Sequence, residues 1–128
     1  MMSKILLSVS FLMLFVLQSC IGQTGYKNVS AEALEKTIKA EKAVLIDVRT
    51  PSEIQGGYIP LTSKFIDFNG GHFESEIKKL DKNVTYVLYC RSGGRSAAAA
   101  EIMAKNGFKK LYNLSGGISS YSGGLKRP

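Results

Sequence analysis

Cys90, Arg91, Ser92, Gly93, Gly94, Arg95 and Ser96 follow one another in the chain, and no other stretch gathers as much chemistry. Gly93 and Gly94 open backbone angles that other residues avoid. The loop can therefore curl and aim successive N–H groups at one centre, forming an anion nest. A helix starting near Ser96 adds its positive end. Arg91 and Arg95 bring two permanent positive charges. A cysteine in that field has a lowered pKa and is partly thiolate at neutral pH. The thiolate is the nucleophile, and the same field would stabilise an anionic persulfide or the oxyanion of a sulfur donor. A cysteine without context is more often a core residue; the glycine–arginine loop reverses that reading for Cys90.

The elements around this loop follow from hydrophobic spacing. Ser30 is a plausible N-cap with Glu32 in the first turn, and Leu34 and Ile38 repeat at helical spacing, so a helix is expected over 31–40. The apolar run 43–46 leads into Asp47-Val48-Arg49 as a buried strand. Thr50 to Glu53 is a turn opening a short helix, stopped by Gly56 and Gly57. A strand is expected over 64–68 and an amphipathic helix over 73–80. Residues 84–89, β-branched and aromatic, form the strongest strand and run directly into Cys90. A helix over 96–106 ends at Gly107, with Phe108 packing back on it. A strand over 110–114, a short helix over 118–121 and a frayed tail over 122–128 complete the chain. Strands alternating with helices imply a parallel sheet covered on both faces. In such sheets ligands sit beyond the carboxyl ends of the strands, where Cys90 falls.

Other residues carry less. Asp47 and Arg49 end their strand close to where Cys90 should emerge. They could shape or polarise the site, but a charge pair that fixes the following turn, together with Glu53, is the favoured reading. His72 is the only histidine; a Cys–His dyad is disfavoured because the helix end and the arginines already activate Cys90. One histidine and one cysteine offer no convincing metal site. Gly93-Gly94 lacks the Lys-Ser/Thr pair of a phosphate-binding loop, so no cofactor is expected. The 128 residues suffice for one domain, and 45% hydrophobic with 21% charged residues describes an ordinary globular chain. The net charge of +7 comes from scattered lysines with no aromatic–basic stripe, which argues against nucleic acid and for a solvated basic surface.

The N-terminus reads as an address. Lys4 precedes an apolar run over 5–17, too short to span a membrane and right for a secretory signal. Leu17-Gln18-Ser19-Cys20 resembles the lipobox of bacterial lipoproteins, which implies cleavage before a lipidated Cys20. The expected organisation is a signal peptide over 1–19, lipidated Cys20 and tether over 20–28, a domain over 29–121 and a tail over 122–128. The chain would be exported and held in the cell envelope by acyl chains, facing the periplasm or the exterior. Cys20 and Cys90 are the only cysteines, so lipidation of one leaves the other without a disulfide partner.

Three stretches together resemble the rhodanese family of sulfurtransferases: Asp47 to Glu53, Tyr89 to Ser96, and Gly107-Phe108 through Tyr112 to Ile118. The resemblance implies a single rhodanese-like α/β domain with a five-stranded, mostly parallel sheet. It implies transfer of sulfane sulfur through a persulfide on Cys90, held by Arg91, Ser92, Gly93, Gly94, Arg95 and Ser96. The chain departs from the family pattern at Tyr58-Ile59-Pro60-Leu61, where His-Ile-Pro-Gly is usual, and at Tyr121, where Trp is usual. Cysteine phosphatases resemble one another in spacing Cys from Arg by five residues; here Ser96 holds that position and Arg95 comes one earlier. Phosphatase or arsenate-reductase activity is accordingly disfavoured. The two arginines suit a doubly charged oxyanion such as thiosulfate over mercaptopyruvate. Expected acceptors are a thiol, cyanide or a protein cysteine. The alternative from another class is a non-catalytic or sulfur-relay binding module of the envelope.

Overall fold

In the computed structural model, residues 25–128 are described. The expected signal peptide, Cys20 and most of the tether lie outside them. Five strands form one sheet in the order β1-β5-β4-β2-β3: β1 Lys27–Val29, β2 Val44–Asp47, β3 Thr62–Phe65, β4 Tyr86–Tyr89 and β5 Leu111–Leu114. Every pairing is parallel. Four helices connect the strands: α1 Ala31–Glu41, α2 Pro51–Gln55, α3 Phe73–Ile77 and α4 Gly94–Lys105, followed by a 3-10 turn, Gly117–Ser120.

The two-residue period of the central strands divides the core. Ile46, Tyr86 and Leu88 face α3 and α4, packing with Phe73, Ile77, Ala99, Ala100 and Met103. Leu45, Val87 and Tyr89 face the opposite side with Leu34 and Ile38 of α1. Each central strand is thus apolar on both faces, which is why it reads as an unbroken hydrophobic run. β2 and β4 are neighbours, yet the chain leaves β2 toward β3 and β4 toward β5, on opposite sides. The sheet therefore has its topological switch point at their carboxyl ends, where an open crevice forms.

Several expectations change. α3 stops at Ile77 where 73–80 was expected, and β4 starts at Tyr86 where 84–89 was expected. Lys27 and Asn28, taken as tether, belong to the edge strand Lys27–Val29, in register with Tyr112 to Leu114; at three residues it is too short to show a period. β3 starts two residues before and ends three residues before the expected 64–68, and its register with β2 slips between Leu45 and Ile46. As an edge strand it carries no buried face to mark its start, and Phe65 is exposed against Tyr58. α4 begins at Gly94 and not Ser96, since Gly93 at φ +108° turns the chain and its carbonyl takes the Ala97 N–H. The tail is not wholly frayed: Lys126 and Tyr58 exchange backbone hydrogen bonds at 2.8 and 2.9 Å, and Leu125 covers Gly57.

Candidate active site

The last residue of β4 is Tyr89, and Cys90 follows it at the switch point. Because Tyr89 faces α1, the alternation turns the Cys90 side chain toward α4. The residue is 1% exposed, so the sulfur is recessed beneath its loop. Only Arg91 to Gly93 separate it from the twelve-residue helix α4. Sγ accepts the Gly93 N–H at 3.1 Å and lies 3.4 Å from the Ser96 hydroxyl. Burial is the largest influence on the thiol and pushes its pKa up. The Ser96 hydroxyl and the N–H groups of Ser96, Gly93 and Ser92 outweigh it, so the net displacement is downward. Of the amides expected to form a nest, that of Gly93 meets the sulfur directly.

The loop is braced by the 3-10 turn that follows β5. The Ile118 N–H donates to the Cys90 carbonyl at 2.9 Å, and the Ser119 N–H to that of Arg91 at 3.1 Å. Gly117 sits at φ +58°, and any Cβ there would collide with those two carbonyl oxygens. Gly117 is thus required by a close backbone approach, which gives the Gly116-Gly117-Ile118 stretch a physical role beside the cysteine.

Arg91 and Arg95, expected to act together, part company. Arg95 makes a two-pronged contact with Glu53 at 2.8 and 2.9 Å. That contact, foremost, raises the Arg95 pKa and lowers Glu53 from 4.5 to about 2. Glu53 is held in turn by a capping box with Thr50 at the start of α2. Arg91 is exposed and has no ion-pair partner among the described residues. Of the loop charges, Arg91 alone is left free to meet an incoming anion. From sequence Glu53 was expected to join the Asp47–Arg49 pair; its carboxylate turns to Arg95 instead, and Arg49 meets only its carbonyl. Nothing local to residue 53 points to residue 95.

Asp47 and Arg49 are brought together beside this loop and almost wholly buried. The guanidinium contacts both Asp47 carboxylate oxygens at 2.8–3.1 Å. It also donates to the Gly57 carbonyl at 2.8 Å and the Glu53 carbonyl at 3.4 Å, and lies 5.8 Å from the centre of the Tyr89 ring. The hydrogen bonds tie β2 to the turn that follows it, and none reaches Sγ. His72 stands exposed at the cap of α3 and makes no side-chain hydrogen bond there. A shallow cleft of about 320 Å³ adjoins the loop, lined by Arg49, Glu53, Gly57, Arg91, Ile118 and Leu125 among others.

Asn113 is a site residue that sequence reasoning missed. It is 5% exposed on β5, and contacts both Ser96 and the Gly93 carbonyl. A polar residue inside an otherwise apolar strand was the available signal.

A family model of the rhodanese-like domain matches residues 30–123. A sulfurtransferase of Allochromatium vinosum is 36% identical over 99 residues, covering 73% of this chain and 86% of its own. The thiosulfate sulfurtransferase GlpE of Pseudoalteromonas translucida is 28% identical over 97 residues, covering 76% and 90%. Among solved structures, a rhodanese-like domain protein from Staphylococcus aureus superposes with a TM-score of 0.69 at 29% identity, covering 80% of this chain and 98% of that one.

Proposed function

The chain belongs to the rhodanese-like domain family, and from that premise we propose that it is a thiosulfate-type sulfurtransferase working through a persulfide on Cys90. Relatives named as sulfurtransferases support the general class. The observation that carries the mechanism is the Cys90 sulfur meeting the Gly93 N–H and the Ser96 hydroxyl at the start of α4. Those donors favour an anion on sulfur both before and after transfer.

The reaction has two redox-balanced halves. The Cys90 thiolate attacks the outer sulfur of thiosulfate. The S–S bond of the donor breaks, and sulfite leaves with the electron pair. Cys90 then carries the outer sulfur as an anionic persulfide, cradled by the loop amides of residues 91–96. A thiolate or cyanide attacks that outer sulfur next, the Sγ–S bond breaks, and the Cys90 thiolate is restored. Arg91 pairs with the donor's anionic oxygens, while Arg95 steadies the loop through Glu53. A recessed sulfur suits a donor that presents one small terminal atom. The signal-like N-terminus and Cys20 support action in the cell envelope from a lipid anchor.

The test is an intact mass of the full chain carrying Cys20→Ser, after incubation with thiosulfate. A gain of one sulfur atom is expected, and no gain when Cys90→Ser is added. No gain in a folded, reduced protein with any sulfane donor would replace this reading with that of a binding module.

A further inference from the structure

Asn113 takes no part in the reaction just described, yet its side chain is placed with care. Nδ2 donates to the Gly93 carbonyl at 3.3 Å and to Oδ1 of Asn28 at 3.4 Å, across the β1–β5 register. Two acceptors on one side orient the amide, so Oδ1 faces the Ser96 hydroxyl 2.5 Å away. An amide oxygen has no proton to give, and the contact therefore uses the single proton of Ser96. The same hydroxyl lies 3.2 Å from the Gly93 carbonyl and 3.4 Å from the Cys90 sulfur. One proton has three acceptors within reach, and Asn113 is the nearest.

We propose that Asn113 is a positioning residue that sets the proton affinity of Cys90 by competing with it for the Ser96 hydroxyl. This rests on Cys90 being the working thiol. While Cys90 keeps its proton, the S–H donates to the Ser96 oxygen and Ser96 donates to Asn113. When that proton leaves for solvent, the hydroxyl must turn toward Sγ to serve the thiolate. The buried Asn113 oxygen then loses its partner, an unfavourable change. The thiolate thus gains less from Ser96 than it would from an uncommitted hydroxyl. A purely structural Asn113 predicts the opposite sign. Its loss would loosen the Gly93 turn, take donors from Sγ and raise the proton affinity.

The experiment titrates Cys90 in the full chain carrying Cys20→Ser, where it is the only thiol. Thiolate ultraviolet absorbance and the rate of alkylation by iodoacetamide are followed against pH. Asn113→Ala should lower the midpoint by about half to one pH unit, the worth of one hydrogen bond. In a Ser96→Ala background the same substitution should leave the midpoint in place. A raised midpoint, or an equal shift without the Ser96 hydroxyl, overturns the proposal. Should Asn113→Ala fail to fold, Asn113→Leu fills the same space and likewise offers the Ser96 proton no acceptor. It should also lower the midpoint with Ser96 present and leave it in place with Ser96→Ala; a raised midpoint, or equal shifts in both backgrounds, would sink the idea. The titration needs no sulfur donor, so failure to form a persulfide would be seen separately.

Discussion

A guanidinium already gripped by a carboxylate is a weaker anchor for an anion than one facing water, and this separates the two arginines of the Cys90 loop. Arg95 is committed to Glu53, whereas Arg91 is exposed and has no ion-pair partner among the described residues. Arg91→Ala should raise KM for thiosulfate about tenfold, in line with one lost charge-assisted contact, with a smaller change in kcat. Arg95→Ala should act differently. It leaves Glu53 as an unpaired anion close to the loop and removes a positive charge that interacts with Cys90. Its effect should fall on kcat and on the thiol titration more than on KM. Steady-state kinetics of both variants against thiosulfate decide the matter, and equal KM effects would refute the division. At this scale the chemistry of Cys90, Gly93 and Ser96 was legible because it lies within seven consecutive residues. The partnership of Arg95 with Glu53 was not, because forty-two residues separate them.

The same pair joins two elements, tying the first turn of α2 to the first turn of α4. The carboxyl of Glu53 is held well down, from 4.5 to about 2, chiefly by Arg95. A depressed acid contributes stability that is fully present above its ordinary pKa and disappears as pH falls through its folded value. The wild-type domain should therefore lose stability between about pH 5 and pH 2 more steeply than Glu53→Gln, as followed by thermal unfolding across that range. Parallel curves would show that the ion pair contributes nothing to the link, as many part-exposed pairs do. Among the elements, α1 and β4 were legible from spacing and composition. The edge strands were not: β1 is three residues long, and β3 has no buried face to set its phase. The start of α4 was hidden because Gly94 is a poor helix former, and the turn at Gly93 sets it instead.

Across the molecule, the crevice between β2 and β4 depends on a buried ion pair that makes no contact with sulfur. Asp47 is 0% and Arg49 5% exposed, and the guanidinium spans from β2 to Gly57. Asp47→Ala should destabilise the fold by about 3–5 kcal/mol, since it strands a buried cation, while changing the Cys90 titration little. Denaturant unfolding measures the first and alkylation against pH the second; unchanged stability with lost activity would contradict this. The tail adds a second long-range tie, with Lys126 paired to Tyr58 and Leu125 set over Gly57. The alternation of strands and helices, the parallel sheet it implies and the glycine–arginine loop after Cys90 are legible in the chain alone, because the spacing and residue types that mark them are local. Chain order alone also put Cys90 at a strand's carboxyl end, which in this architecture is where a crevice lies. Which arginine is free, that Asn113 stands behind Ser96, and that Gly117 lets residues 118 and 119 brace the cysteine loop emerge with the folded molecule. Those outcomes depend on side chains brought together from distant parts of the chain, where neither periodicity nor local propensity carries any signal of contact.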